Sequence, residues 1–173
     1  MKLNNLFLAK TFCVILLLFV INYSFSQHNK SKIDSLNQII NSSTIDSIKI
    51  KSYKTLAFDY YLNNQLIEAE LYSNKILQLA TKNDYQLSIA DSYNLFGIIS
   101  KKKGFYELAL ENYNKALATY KKINEKMGES IVLNNISIIY NLQSNLDKAI
   151  EYQIKTLKIK EQLGDKKSIV TNQ

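Results

Sequence analysis

The sequence predicts an all-α fold made of antiparallel helix pairs repeated in tandem. Composition is the first observation that predicts it: the 173 residues contain no Pro, no Trp and only 4 Gly, while hydrophobic residues make up 46% of the chain. This composition is poor in Gly and Pro, and its abundant Leu and Lys are good helix formers. A chain of this length and apolar content is expected to fold rather than remain disordered.

An internal repeat with a period of 40 residues and no gaps is the second observation. Each copy carries two large apolar residues, a small residue, a turn former, an alanine and a leucine. The copies are Tyr53, Leu56, Ala57, Asn64, Ala69 and Leu77; Tyr93, Phe96, Gly97, Gly104, Ala109 and Leu117; and Leu133, Ile136, Ser137, Ser144, Ala149 and Leu157. A fixed period of this size is typical of helical repeat arrays. Repeats are therefore predicted at 45–84, 85–124 and 125–164.

Residues 1–26 have the layout of a secretory signal peptide. Lys2 and Lys10 precede an uncharged apolar run over 11–21, which is shorter than the roughly 20 residues that span a bilayer. Small residues at Ser24 and Ser26 suit a signal peptidase. An exported protein, periplasmic or in the cell envelope, is predicted.

Cleavage after Ser26 gives a mature protein that begins at Gln27. The alternative left open is an uncleaved helix over 6–25, anchored in the inner membrane. Cys13, the only cysteine, lies in the apolar run, so the mature chain is expected to have no disulfide, thiolate nucleophile or cysteine metal site.

Residues 27–44 are predicted to form a leader and an N-terminal capping helix. Ile33, Leu36, Ile39 and Ile40 have helical spacing, and the helix is expected to cover the exposed end of the first repeat.

Within each repeat, the small residue marks a helix that another helix approaches closely. Ala57, Gly97 and Ser137 stand among large apolar neighbours, which predicts two packed helices per repeat. The helices are predicted near 45–62, 66–81, 85–102, 106–123, 126–142 and 146–163.

Turn formers separate these helices. Asn64 and Gly104 mark turns within repeats, and Ser144 with Asp147 has the spacing of a capping box. Softer breaks between repeats are predicted at Asn83-Asp84, Asn124 and Gly164-Asp165.

Residues 165–173 are interpreted as the start of a truncated fourth repeat. An array without a polar capping helix exposes its last apolar face. The expectation is a fragment of a longer protein, or a second chain that covers Leu157 and its neighbours.

The second repeat resembles the tetratricopeptide family in Tyr93, Phe96-Gly97, Gly104, Tyr106, Ala109, Tyr113 and Ala116. Ser73, Ser100 and Gln153 depart from the family's aromatic positions, and 40 residues exceed the family's period of about 34. The resemblance implies a right-handed superhelical solenoid. Longer repeats of this kind resemble the input regions of exported bacterial signalling proteins, including those that precede a membrane span and a histidine kinase.

The resemblance also implies a concave groove that binds an extended peptide or protein segment. The groove positions on the first helix of each repeat are Lys51, Lys54, Phe58, Tyr61, Asp91, Asn94, Ile98, Lys101, Asn134, Ile138 and Asn141. Chaperone-binding members of the family hold a peptide carboxylate with a clamp of Lys and Asn side chains. The registers that would need the amides are occupied here by Phe58, Ile98 and Ile138. That clamp is therefore not reproduced.

No pattern of catalytic or cofactor-binding residues is found. His28, the only histidine, has no triad partners, and the glycines stand singly rather than in a phosphate loop. No catalytic, metal or cofactor residues are predicted, and the protein is expected to be non-enzymatic.

The net charge of +7 raises the question of nucleic-acid binding, but every basic residue is lysine. Without arginine, bidentate contacts to guanine or phosphate are unavailable, and no nucleic-acid partner is predicted. A run of three lysines, Lys101, Lys102 and Lys103, ends a predicted helix. We interpret it as a complement to the helix dipole rather than as a site that recognises an acidic partner.

Two functional hypotheses from different classes remain open. The first is a module that binds a peptide or protein. The second is an assembly scaffold that self-associates through the uncapped C-terminal face. Membrane attachment is expected through the N-terminal segment or through a missing C-terminal part.

Overall fold

The structure is a computed structural model that describes residues 30–164. Its contacts divide the chain into two units, 1–44 and 45–173. In the first unit the described residues form one helix, α1, over 30–42, so a helix is present where the leader helix was predicted. The signal peptide and the residues after 164 lie outside the described residues, and those two predictions stay predictions.

The second unit is a series of helices of 17 residues each within its described part, 45–164. They are α2 (Asp46–Leu62), α3 (Leu66–Lys82), α4 (Gln86–Lys102), α5 (Tyr106–Lys122), α6 (Lys126–Leu142) and α7 (Leu146–Gln162). A new helix begins every 20 residues, so a pair of helices occupies 40 residues. The predicted all-α helical repeat is confirmed.

The turns between these helices have one geometry. A residue with positive φ stands at the same register of each of the five turns, at Asn64, Asp84, Gly104, Asn124 and Ser144, and Gly164 has the same conformation after α7. Short polar residues and glycine tolerate the left-handed conformation better than other residues. The next backbone N–H bonds five residues back, as from Gln65 to Tyr60 (2.9 Å) and from Glu125 to Tyr120 (2.9 Å), which is the Schellman closure of a helix.

Two predictions about the turns were therefore wrong. The breaks between repeats are not softer, because Asp84 and Asn124 adopt the same conformation as Asn64. Ser144 does not cap α7, because its φ of 59° places it in the left-handed turn position. Asn145 is the N-cap instead, and its Oδ1 accepts a hydrogen bond from the Lys148 N–H (3.2 Å).

Within the second unit, helices that adjoin in sequence pack on each other, and α4 also contacts α6. The close approach falls at small residues: a Cβ added to Gly97 would lie 2.4 Å from the Tyr113 ring, and one added to Gly128 would lie 2.4 Å from the Tyr120 ring. Both tyrosines are buried in a core that joins α4, α5 and α6. No helix in residues 30–164 combines the length and the apolar character needed to cross a membrane.

Candidate functional site

The predicted groove residues lie on α2, α4 and α6, the first helices of the three pairs, and we call their surface the first-helix face. They follow four registers 40 residues apart, beginning at Lys51, Lys54, Phe58 and Tyr61. Ile131 occupies the third position of the Lys51 register and was missed. The same step of 40 residues could have found it, and its side chain is exposed.

A pocket of about 310 Å³ brings five of the predicted residues together between α2 and α4. The five are Lys54, Phe58, Asp91, Asn94 and Ile98. Ile76 of α3 closes the pocket from below, while Leu95 and Ser92 complete the wall on α4. These three residues were not predicted as part of the site, since the groove registers did not include them.

An ion pair crosses the rim of this pocket. Lys54 Nζ lies 2.5 Å from Asp91 Oδ2, which joins α2 to α4. The other carboxylate oxygen, Asp91 Oδ1, accepts a hydrogen bond from the Tyr120 hydroxyl of α5 (2.6 Å). Burial, together with the hydrogen bond to Asp91, raises the pKa of Tyr120 above its ordinary range, so this hydroxyl stays a donor. Asp91, which lies on α4, is therefore bonded to side chains of α2 and α5, and these bonds hold the rim of the pocket in place.

Aromatic and cationic contacts order the end of α2. The rings of Phe58 and Tyr61 are stacked with centroids 6.2 Å apart. Lys102 of α4 lies over the Tyr61 ring (4.5 Å from Nζ to the centroid) and donates a hydrogen bond to the Tyr61 carbonyl (2.9 Å). Phe58 nevertheless remains 52% exposed. The face thus presents a large apolar side chain whose neighbour is held in place.

The three consecutive lysines at the end of α4 have different environments. Lys102 contacts Tyr61, and Lys103 forms an ion pair with Glu70. Lys101 forms no ion pair with an acid of residues 30–164, and partial burial lowers its pKa. Intramolecular partners thus account for two of the three.

The third helix pair does not continue the pocket. Asn134 lines a separate pocket of about 260 Å³ with five residues of α7: Ile150, Gln153, Ile154, Thr156 and Leu157. Asn135, the neighbour of a predicted position, donates a hydrogen bond to Asn94 Oδ1 (3.1 Å) and so ties α6 to α4. Ile138 and Asn141 are exposed on α6. The structure thus brings together five of the eight predicted residues on α2 and α4, while Lys51, Tyr61 and Lys101 do not line this pocket and none of the predicted residues on α6 does.

Acidic side chains are scattered over the described helices. Within residues 30–164 no three His, Cys, Asp or Glu side chains converge in a way that could hold a metal ion. His28 and Cys13 lie outside that part of the chain.

Comparison with known proteins points to one repeat family. Residues 88–162 match the model of the tetratricopeptide repeat. No curated protein matches the sequence. Repeats of this family generally mediate protein–protein interactions and are generally non-catalytic.

Two solved structures are similar in fold. BtubC (BKLC) from P. vanneervenii superposes with a TM-score of 0.67 at 19% identity, over 80% of this chain and 57% of BtubC. MamA superposes with a TM-score of 0.59 at 21% identity, over 77% of this chain and 69% of MamA. The chain thus spans little more than half of BtubC. At these identities the likeness bears on the fold alone. Residues 88–162 are thus similar to the tetratricopeptide repeat, and the two superpositions support the all-α helical repeat fold of the chain.

Proposed function

We propose that the protein is a non-enzymatic interaction module that binds an extended peptide or protein segment along the first-helix face. The observation that carries the proposal is the pocket between α2 and α4. Its floor is apolar, from Ile76, Leu95 and Ile98, and its rim is polar, from Lys54 and Asp91. A peptide can bury one apolar side chain in such a pocket while polar groups orient its backbone.

Pre-organisation of the face supports the same proposal. Asp91 is bound by Lys54 and Tyr120, so the rim does not need to be ordered when a peptide arrives. The carboxamides of Asn134 and Asn141 on α6 are available to backbone groups of an extended segment. Exposed Phe58 and Ile138 lie beside this path and supply further apolar contact.

The test is a peptide-display selection against the full chain, followed by measurement of the affinity of a selected peptide for variants. Phe58→Ala removes a groove side chain that is 52% exposed, and Leu71→Ala is the matched control because Leu71 is also 52% exposed but lies on α3. We expect Phe58→Ala and Ile98→Ala to weaken binding by about tenfold each, typical of an apolar hot spot. Equal effects of Phe58→Ala and Leu71→Ala, with helicity unchanged, would contradict the site.

Export and a signalling context belong to the same proposal. They rest on the layout of residues 1–26 and on the period of 40 residues, which is longer than the family's period of about 34. Mass spectrometry of the protein from its native cell should find Gln27 as the first residue. An intact Met1 would favour the uncleaved anchor instead. The nucleotide sequence beyond codon 173 tests the signalling context, since a membrane span and a kinase there would support it.

A second candidate function, self-assembly, is favoured by the surface of α7. Leu146, Ile150 and Ile154 follow one stripe of this helix and are 59%, 54% and 49% exposed. A second copy of the chain could cover the stripe by stacking end to end. Light scattering tests this: an oligomer that the Ile150→Glu variant disperses supports it, and a monomer at all concentrations excludes it.

A further inference from the structure

Another pocket, lined by residues of α2 and α3, is not used by the proposed peptide site. Its volume is about 310 Å³, and none of its residues lines the pocket between α2 and α4. The lining residues are Lys49, Tyr53, Lys75, Gln78, Leu79 and Lys82. Three of the six are lysines, and there is no carboxylate among them.

These three lysines lack the ion pairs that other lysines of the chain form. None of Lys49, Lys75 and Lys82 has an acidic partner among residues 30–164. The nearest acid along α2 is Asp46, and its Oδ2 already accepts a hydrogen bond from Asn83 Nδ2 (2.9 Å). The pocket is therefore lined by three lysines that form no ion pair with the described residues, and the nearby Asp46 carboxylate is bonded to a neutral amide rather than to one of them.

The repeat register shows that this charge is particular to the first helix pair. Lys115 and Lys155 occupy the register of Lys75 in the second and third pairs, and each forms an ion pair with a glutamate four residues before it, at 2.7 Å and 2.5 Å. In the first pair, Leu71 stands where those glutamates would be. Lys75 is thus the lysine of this register that no acid neutralises.

Aromatic rings position Lys75 without removing its charge. Its Nζ lies 4.8 Å from the centroid of Tyr72 and 5.6 Å from that of Tyr53. A cation–π contact orients the ammonium group, yet its three N–H donors can still meet an anion. Tyr53 also lines the pocket, and burial raises its pKa, so its hydroxyl is retained as a neutral hydrogen-bond group.

We propose that this pocket binds a multivalent phosphate group, with Lys49, Lys75 and Lys82 as the cations and the Gln78 amide as an additional donor. Several ammonium groups around one cavity suit an oxyanion of more than one negative charge, because charge-assisted hydrogen bonds to phosphate are among the stronger contacts in proteins. The phosphate can belong to a soluble polyphosphate or to a phosphomonoester lipid headgroup, which carry the same chemistry.

The experiment uses the full chain with two probes. Tripolyphosphate binding is measured by calorimetry at about 50 mM salt, where screening is moderate. Co-sedimentation with phosphatidylcholine vesicles, with and without phosphatidic acid, tests the lipid source. The variant Lys49→Gln/Lys75→Gln/Lys82→Gln is compared with Lys121→Gln/Lys122→Gln/Lys158→Gln, which loses the same charge from exposed lysines without ion pairs.

We expect the pocket variant to bind one of the probes about tenfold more weakly than the wild type, and the control variant to stay within about twofold, since each exposed charge pair contributes modestly. The double variant Lys49→Gln/Lys82→Gln keeps the Lys75 contacts with the rings, and a loss of binding in it with an unchanged circular dichroism spectrum excludes unfolding as the cause. Equal losses in the pocket and control variants would assign binding to net charge and overturn the proposal. No binding of either probe would overturn it as well.

Discussion

The close contact between α4 and α5 at Gly97 gives the sharpest prediction for stability. Gly97 of α4 lies against the ring of Tyr113 on α5, and the Cβ that alanine would add lies 2.4 Å from Cε1 and 2.5 Å from Cδ1 of that ring. Tyr113 is completely buried, so the ring has no solvent-filled space into which it can move. Gly97→Ala should therefore force α4 and α5 apart or push the ring off its rotamer.

Two effects of opposite sign set the magnitude. In a helix interior, alanine is favoured over glycine by about 1 kcal/mol. Overpacking of a filled core typically costs about 1–3 kcal/mol. The added Cβ would lie well below van der Waals distance from two ring atoms, so we expect an overpacking cost in the upper part of this range. The net loss in the free energy of unfolding is then about 1–2 kcal/mol.

Urea unfolding followed by circular dichroism measures this change. The same substitution in a Tyr113→Leu background is the control, because the shorter side chain leaves room for the new methyl group. In that background Gly97→Ala should lower the free energy of unfolding by at least about 1 kcal/mol less than it does in the wild type. This difference is the coupling energy of two residues in contact. A Gly97→Ala variant that is more stable than the wild type would refute this prediction. The gain in helix propensity would then exceed any cost of overpacking against Tyr113.

Three further predictions concern the free energy of unfolding. The Tyr113 hydroxyl is buried without a hydrogen-bond partner among the described residues, so Tyr113→Phe should leave stability unchanged or raise it by up to about 1 kcal/mol in urea unfolding. Ser144 has a φ of 59°, so Ser144→Gly should stabilise by about 0.5–1 kcal/mol and Ser144→Ala should not, as measured by the midpoint of thermal unfolding. Burial and the hydrogen bond to Asp91 raise the pKa of Tyr120, so the folded state keeps a proton that the unfolded state loses above pH about 10. The free energy of unfolding should accordingly fall as the pH rises above about 10. In the Tyr120→Phe variant this fall should be less steep, by up to about 1.4 kcal/mol per pH unit.

The helices were predictable from the sequence because their ends repeat. Residues that tolerate a left-handed turn stand at 64, 84, 104, 124, 144 and 164, so each boundary was predicted within about one residue. Ser144 was misassigned because serine favours both the N-cap and the turn, and only the backbone geometry distinguishes the two.

The pocket between α2 and α4 was predictable only in part. Its face on the first helices follows from the period, but Ile76 belongs to α3 and enters the pocket through the packing of the pair. The tie from Asp91 to Lys54 and Tyr120 spans 37 and 29 residues of sequence, and neither spacing has a periodic signature. The pocket of Lys49, Lys75 and Lys82 is hidden for the same reason, since it forms between two helices.

Site-specific photo-crosslinking tests the central claim of a peptide-binding first-helix face most directly. A photoreactive residue replaces Ile98, which lines the pocket, or Leu71, which is exposed on α3, and each protein is irradiated with a peptide selected on the wild-type chain. We expect an adduct from position 98 and little or none from position 71. An adduct from position 71 alone, or equal adducts from both, would contradict it.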